Sequence, residues 1–236
     1  MLALVGSGEY LPPIAFVDRE LIGRLAAPVR VVCLPTAAGS EGHARIDYWS
    51  RLGVDHFTGL GAQVESLPVI DRPSADDPAL AAAVSQANFV YLSGGRPDYL
   101  HKTLDGSLVW QAILTVLGNG GLLAGCSAGA MILGEKFFGF PGWKPGFNFL
   151  PDATIIPHFD EIPGAMIGSL HMVAGKDLTI LGIDGNTALV RTGDQYEVLG
   201  SGAVTVWNRA GKIRHAAGPL PAWTDGLYGA SHKRCV

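Results

Sequence analysis

Short apolar runs that are continuous rather than alternating recur along the chain, at residues 2–6, 29–34, 89–93, 122–126, 154–157 and 178–184. A strand with one wet face alternates apolar and polar residues, whereas a strand covered on both faces is apolar throughout. These runs therefore read as core strands of a parallel sheet. Between them lie stretches with helical spacing, at residues 16–25, 44–52, 78–85, 99–117, 128–133 and 162–174. Strands and helices in alternation predict an α/β fold: a doubly wound, mostly parallel sheet with helices on both faces. In such a sheet ligands bind beyond the carboxyl ends of the strands. After Asp184 the texture changes. Short runs at 188–190, 196–199, 203–207 and 212–215 are parted by Thr192-Gly193-Asp194, Gly200-Ser201-Gly202 and Asn208-Arg209-Ala210-Gly211. This predicts a C-terminal antiparallel meander over 187–215 on one edge of the sheet. Residues 1–217 are expected to form one domain, and 218–236 an irregular tail.

At 236 residues, 48% of them hydrophobic and 16% charged, the chain can bury one sizeable core. A net charge of −4 offers no basic patch, so nucleic acid is not an expected partner. No apolar run reaches the roughly 18 residues of a spanning helix, and no membrane partner is expected. The opening Met1-Leu2-Ala3-Leu4-Val5-Gly6 is too short and lacks the basic flank of a signal peptide. Cys33, Cys126 and Cys235 cannot all pair, and the first two lie in or beside buried strands, which fits a reducing compartment. A cytoplasmic protein is the simplest expectation. The histidines show no metal-ligand spacing, and the Gly94-Gly95 loop has neither a lysine nor a G-x-G-x-x-G pattern, so no metal or other cofactor is expected.

The chemistry concentrates in Gly120-Gly121-Leu122-Leu123-Ala124-Gly125-Cys126-Ser127-Ala128-Gly129-Ala130. Gly125, Ser127 and Gly129 make the G-x-S-x-G pattern of a nucleophile elbow, a tight strand-to-helix turn that exposes one side chain and aims a helix N-terminus at it. A β-carbon at either flanking glycine would collide with a neighbouring strand or with the turn itself. Ser127 is thus the candidate nucleophile. Cys126, one residue early, should point away from the site as a small buried residue. A lone loop histidine usually does no more than hydrogen-bond, but His158 follows a strand and should stand on the same sheet edge as Ser127, which makes it the candidate base. Ala128 N–H and a backbone N–H of Gly94 or Gly95 are the candidate oxyanion donors.

Taken together, Ser93-Gly94-Gly95-Arg96, Gly125-Cys126-Ser127-Ala128-Gly129-Ala130 and Pro157-His158-Phe159 resemble the serine peptidases of the peptidase E (aspartyl dipeptidase) and cyanophycinase family, which is similar in fold to class I glutamine amidotransferases. The likeness runs from about Val31 to about Val190. It implies a serine nucleophile, a histidine base, a glycine-built oxyanion hole and a homodimer, and hands those site roles to Ser127, His158 and Gly95. Where peptidase E keeps its triad acid the chain reads Phe137-Phe138-Gly139-Phe140-Pro141-Gly142-Trp143-Lys144, without a carboxylate. Where cyanophycinase-like members read G-I-D-E it has Gly182-Ile183-Asp184-Gly185. Asp160, two residues after His158, and Asp184, at a strand end, are the candidate acids, with Glu135 behind them and a bare Ser–His dyad as the further alternative. Asp160 could equally cap the helix that follows it. Aspartate-specific members carry arginines after P-H-F, and here Asp160-Glu161-Ile162-Pro163 is acidic and then apolar, so strict aspartyl specificity is not expected. Arg96, beside the oxyanion glycines, is the candidate substrate-binding cation. The aromatic stretch 137–149 is a wall over the site or a dimer interface. The expected function is hydrolysis of short peptides. The alternatives are a non-catalytic binding protein of the same fold, and an amidase or esterase using the same serine.

Overall fold

The protein is described by a computed structural model over residues 1–139, 141–163 and 178–220. Its first half runs β1 (Leu2–Val5), α1 (Ala15–Gly23), β2 (Arg30–Leu34), α2 (His43–Gly59), β3 (Gln63–Ser66), α3 (Arg72–Ala75), α4 (Pro78–Ser85), β4 (Phe89–Leu92), α5 (Pro97–Leu104) and α6 (Leu108–Gly118). It continues with β5 (Leu122–Cys126), α7 (Ala128–Met131), β6 (Lys136–Gly139), β7 (Gly142–Pro145), β8 (Ala153–Ile156) and β9 (Thr179–Ile183). The remainder is β10 (Thr187–Thr192), β11 (Gln195–Gly200), β12 (Val204–Asn208), β13 (Gly211–His215) and β14 (Gly218–Pro219).

The main sheet has 8 strands in the order β14-β11-β10-β1-β5-β4-β2-β3. From β1 to β3 the pairs are parallel, and β10, β11 and β14 extend the β1 edge antiparallel. The continuous apolar runs have a simple cause. Side chains alternate across a strand, and both faces are covered here. Leu4, Leu34, Leu92 and Leu123 join one core with Leu100, Ile113 and Val116 of the helices. Their neighbours Val5, Cys33, Tyr91 and Ala124 join the other, with Val17, Leu21 and Phe57.

The expected α/β fold is present, with differences in detail. The runs at 154–157 and 178–184 do not enter the main sheet. As β8 and β9 they form a second sheet, in the order β13-β12-β9-β8. The C-terminal strands are therefore divided, β10 and β11 against β1 and β12 and β13 against β9. The place beside β1 is taken by β10, with Gly6 N–H bonded to Thr187 O at 2.9 Å. The chain leaving β9 crosses so close above β1 that a β-carbon on Gly6 would lie 2.0 Å from Asp184 O. The helix expected over 99–117 breaks into α5 and α6, because Gly106 takes φ 67° and Ser107 Oγ caps α6 by accepting Trp110 N–H at 3.1 Å. The helix expected over 44–52 runs on to Gly59. The edge strand β3, with its alternating Gln63-Val64-Glu65-Ser66, lacks the continuous run that marks its neighbours. Gly218 and Pro219, expected in the tail, pair with β11. The helix expected over 162–174 lies almost wholly outside the described residues, as do residues 221–236 with Cys235. Among the described residues no helix is long and apolar enough to cross a membrane.

Candidate active site

Loops from the carboxyl ends of β1, β4, β5 and β8 meet around Ser127. The serine has φ 49° and ψ −111°, a conformation that costs roughly 1–3 kcal/mol and must be held by its surroundings. Its N–H bonds Val5 O at 3.0 Å, and its carbonyl accepts the N–H groups of Ala130 and Met131, both at 3.0 Å. Both flanking glycines are sterically required. A β-carbon on Gly125 would stand 2.3 Å from Gly129 O, and one on Gly129 would stand 2.4 Å from Leu92 O on β4. The helix after the elbow, α7, is only 4 residues long. What faces Ser127 is therefore the local N–H of Ala128 rather than the dipole of a long helix.

His158 reaches the serine from the end of β8. Its Nε2 lies 3.3 Å from Ser127 Oγ, within the range of a hydrogen bond that tightens when substrate enters. The next residue anchors it. Phe159 N–H bonds Ile183 O at 3.1 Å, and its ring lies against Gly182, where a β-carbon would come within 2.4 Å of it. The Gly182-Ile183-Asp184-Gly185 segment thus receives Phe159 and does not present an acid to the histidine.

The group facing His158 Nδ1 is Glu161, whose Oε2 lies at 3.3 Å. His158 takes φ 51° and accepts Glu161 N–H on its own carbonyl at 3.0 Å, so the chain reverses and brings the third following residue back to the ring. This corrects the expectation for the acid. Asp160 Oδ1 accepts Gly185 N–H at 2.8 Å. Asp184 is 1% exposed, accepts Ala203 N–H at 2.9 Å and pairs with the Arg214 guanidinium. Glu135 accepts Asp152 N–H at 2.8 Å. Each of these carboxylates binds a backbone group elsewhere. The side chains of His158 and Glu161 are 41% and 64% exposed, so their attraction is screened by water.

On the other side of Ser127 the two glycines part company. Gly94 N–H is already donated to Glu9 Oε1, at 2.9 Å, and cannot serve an oxyanion; this corrects its expected role. Gly95 is exposed, has φ 140°, and would bring a β-carbon to 2.8 Å from Ala37 O. The N–H groups of Gly95 and Ala128 make no backbone hydrogen bond among the described residues. Arg96 turns toward the loop after β2, its N–H on Ala37 O at 3.0 Å and its Nη1 3.4 Å from Ser40 Oγ. Glu9 itself is buried, 8% exposed, and its Oε2 accepts Cys126 Sγ–H at 3.0 Å. Burial first, and then the Glu9 charge, push the Cys126 thiol well above its ordinary value, so it remains an un-ionised, inert thiol. Glu9 escaped the sequence reading although the signal was present: Gly6-Ser7-Gly8-Glu9 follows the first strand at its carboxyl end.

A cavity of about 350 Å³ opens beside Ser127 and His158. One wall is the β6–β7 hairpin from the aromatic stretch. Phe137 is buried against the His101 ring, with centroids 5.5 Å apart, and Lys144 pairs with Asp98 at 2.7 Å. Phe138 points the other way, and with Trp143 it lines the cavity. Phe147 stacks on Trp110 at 3.6 Å in the core, while Phe140 lies outside the described residues.

Residues 2–199 match the model of peptidase family S51. Cyanophycinases of Synechococcus elongatus and Thermosynechococcus vestitus are each 30% identical over 174 residues, 68% of this chain and 54% of theirs. The chain thus spans about half the length of these curated relatives. The crystal structure of a peptidase from an acI-B1 actinobacterium is similar with a TM-score of 0.83 and 36% identity, over 93% of this chain and 95% of that one. A protein of Listeria monocytogenes EGD-e, whose name carries a provisional peptidase E assignment, has a TM-score of 0.64 at 20% identity over 85% of this chain and 98% of its own, a likeness of fold alone. Because the family match runs from β1 into β11, across every element that carries Ser127 and His158, the chain belongs to peptidase family S51.

Proposed function

We propose that this protein is a serine peptidase that cleaves short peptides, with Ser127 as nucleophile and His158 as general base. The observation that carries the proposal is the approach of His158 Nε2 to within 3.3 Å of Ser127 Oγ at a glycine-flanked elbow. Membership of a peptidase family supports the same reaction class. Ser127 Oγ attacks the scissile carbonyl carbon as its proton passes to His158 Nε2. The oxyanion falls to the N–H groups of Gly95 and Ala128, where one well-aimed donor is worth roughly 3 kcal/mol of barrier. Collapse breaks the C–N bond, and the leaving amine takes the proton from His158. Water, deprotonated by the same histidine, then hydrolyses the ester on Ser127 and frees the acid. Glu161 orients the imidazole from a solvated position, so its share of the rate is small.

A fluorophosphonate probe combined with a peptide panel tests this. Folded protein is expected to be labelled at Ser127. Ser127→Ala should abolish labelling and lower peptide hydrolysis by about 10³-fold or more. An unlabelled, inactive wild type would leave the fold as a binding protein. Cleavage of esters or simple amides without cleavage of peptides would assign the serine to an esterase or amidase.

A further inference from the structure

We infer that the cavity beside Ser127 receives a large apolar side chain flanking the scissile bond, so that peptides with phenylalanine or leucine there are preferred to acidic ones. The inference rests on the peptidase reading of Ser127 and names its substrate class. At about 350 Å³ the cavity lies near the lower end of the roughly 300–1,000 Å³ of small-molecule sites, enough for a side chain and its backbone. Met131 contributes from the end of α7, Ile156 and Pro157 from the strand end that carries His158, Ile162 from beyond it, and Phe138 and Trp143 from the hairpin. Among the described residues that line it there is no lysine or arginine. A carboxylate entering would lose water without gaining a cation from these residues, and Glu161, whose Oε2 faces His158 Nδ1, carries a like charge. The apolar wall is preformed, because Phe137 and the Lys144–Asp98 pair hold the hairpin down. Phe138 is nevertheless 45% exposed, a large apolar surface left at the cavity mouth for a ligand to cover.

The test measures kcat/KM on short peptides bearing phenylalanine, leucine, alanine or aspartate on either side of the cleaved bond. Each extra methylene in such a pocket is worth about tenfold or more. Phenylalanine and leucine should therefore exceed alanine by at least about tenfold, and aspartate by about 10²-fold, on one side of the bond. The side that responds is the one the cavity serves. Phe138→Arg, at a half-exposed position, should reduce the phenylalanine-to-aspartate ratio at least about tenfold. A second arm titrates the same peptides into Ser127→Ala by calorimetry, where the same order of affinity is expected. Equal or better use of aspartate on both sides, or a ratio unmoved by Phe138→Arg, overturns the inference while leaving the peptidase reading intact. Apolar-selective binding by Ser127→Ala with no hydrolysis by wild type supports the cavity's role and overturns the peptidase reading. Neither binding nor hydrolysis overturns both.

Discussion

Two histidine–carboxylate pairs among the described residues look alike on paper and differ in burial, length and surroundings. His56 of α2 has its Nε2 2.8 Å from Asp18 Oδ2 of α1, with side chains 7% and 0% exposed. His158 has its Nδ1 3.3 Å from Glu161 Oε2, with side chains 41% and 64% exposed. The first pair is closed in by the rings of Tyr10, at 6.0 Å, and Phe57, at 5.0 Å. Burial raises the Asp18 carboxyl above its ordinary value, while the hydrogen bond and charge of His56 pull it down. Such a pair fastens α1 to α2 and has no route to a substrate. The second pair is looser and wetter, yet the other nitrogen of its histidine meets the Ser127 hydroxyl. Tightness of a histidine–carboxylate contact therefore speaks to its structural role and says nothing of its reach to a hydroxyl.

Mutations separate the two. His158→Ala should lower kcat by about 10²- to 10⁴-fold, measured on peptide hydrolysis. Unfolding stability, followed by urea denaturation, should stay within about 0.5 kcal/mol of wild type because the site is half exposed. Asp18→Ala should do the reverse. It leaves His56 without its buried partner and is expected to cost about 3–5 kcal/mol of stability, with kcat per folded molecule unchanged. Asp184→Asn sharpens the contrast, since its carboxylate holds Ala203 N–H and Arg214. A loss of roughly 1–3 kcal/mol in denaturant is expected, and a large fall in kcat at full stability would instead restore Asp184 as the triad acid. The smallest effect belongs to Glu161→Gln. A solvent-screened pair is worth up to about 1 kcal/mol, so kcat should drop no more than about fivefold, with KM unchanged. A drop of thousands-fold would show that substrate buries the pair.

The elbow was legible because its requirements are local. A serine in a strained turn forces glycines at fixed offsets, and Gly125 and Gly129 meet backbone within 2.4 Å of where a β-carbon would stand. The core strands were legible for a similar reason, since burial on both faces leaves continuous apolar runs, but the runs did not show that β8 and β9 belong to a second sheet. The carboxylate that meets His158 was not legible. Asp160 had a suggestive spacing, but the left-handed turn at His158 swings Glu161 to the ring and leaves Asp160 facing Gly185. Gly94 and Gly95 read as equals until Glu9, 85 residues away in sequence from Gly94, takes the N–H of the first. Phe137 and Phe138 are likewise the same residue type in one short stretch. The hairpin's pleat sends Phe137 into the core, at 1% exposure, and leaves Phe138 at the cavity, at 45%.

Sequence alone thus determined the fold class, the glycine-flanked turn at Ser127 and the strand end that carries His158. These follow from hydrophobic periodicity and from steric rules that act between near neighbours. Only the tertiary structure decided which carboxylate meets the histidine, which glycine gives its N–H to Glu9, which sheet β8 and β9 join, and that the described wall beside Ser127 is apolar. Those outcomes depend on how segments far apart in the chain dock against each other. A residue's type fixes what it can bond, but docking fixes which partner is within the few ångströms where a bond can form.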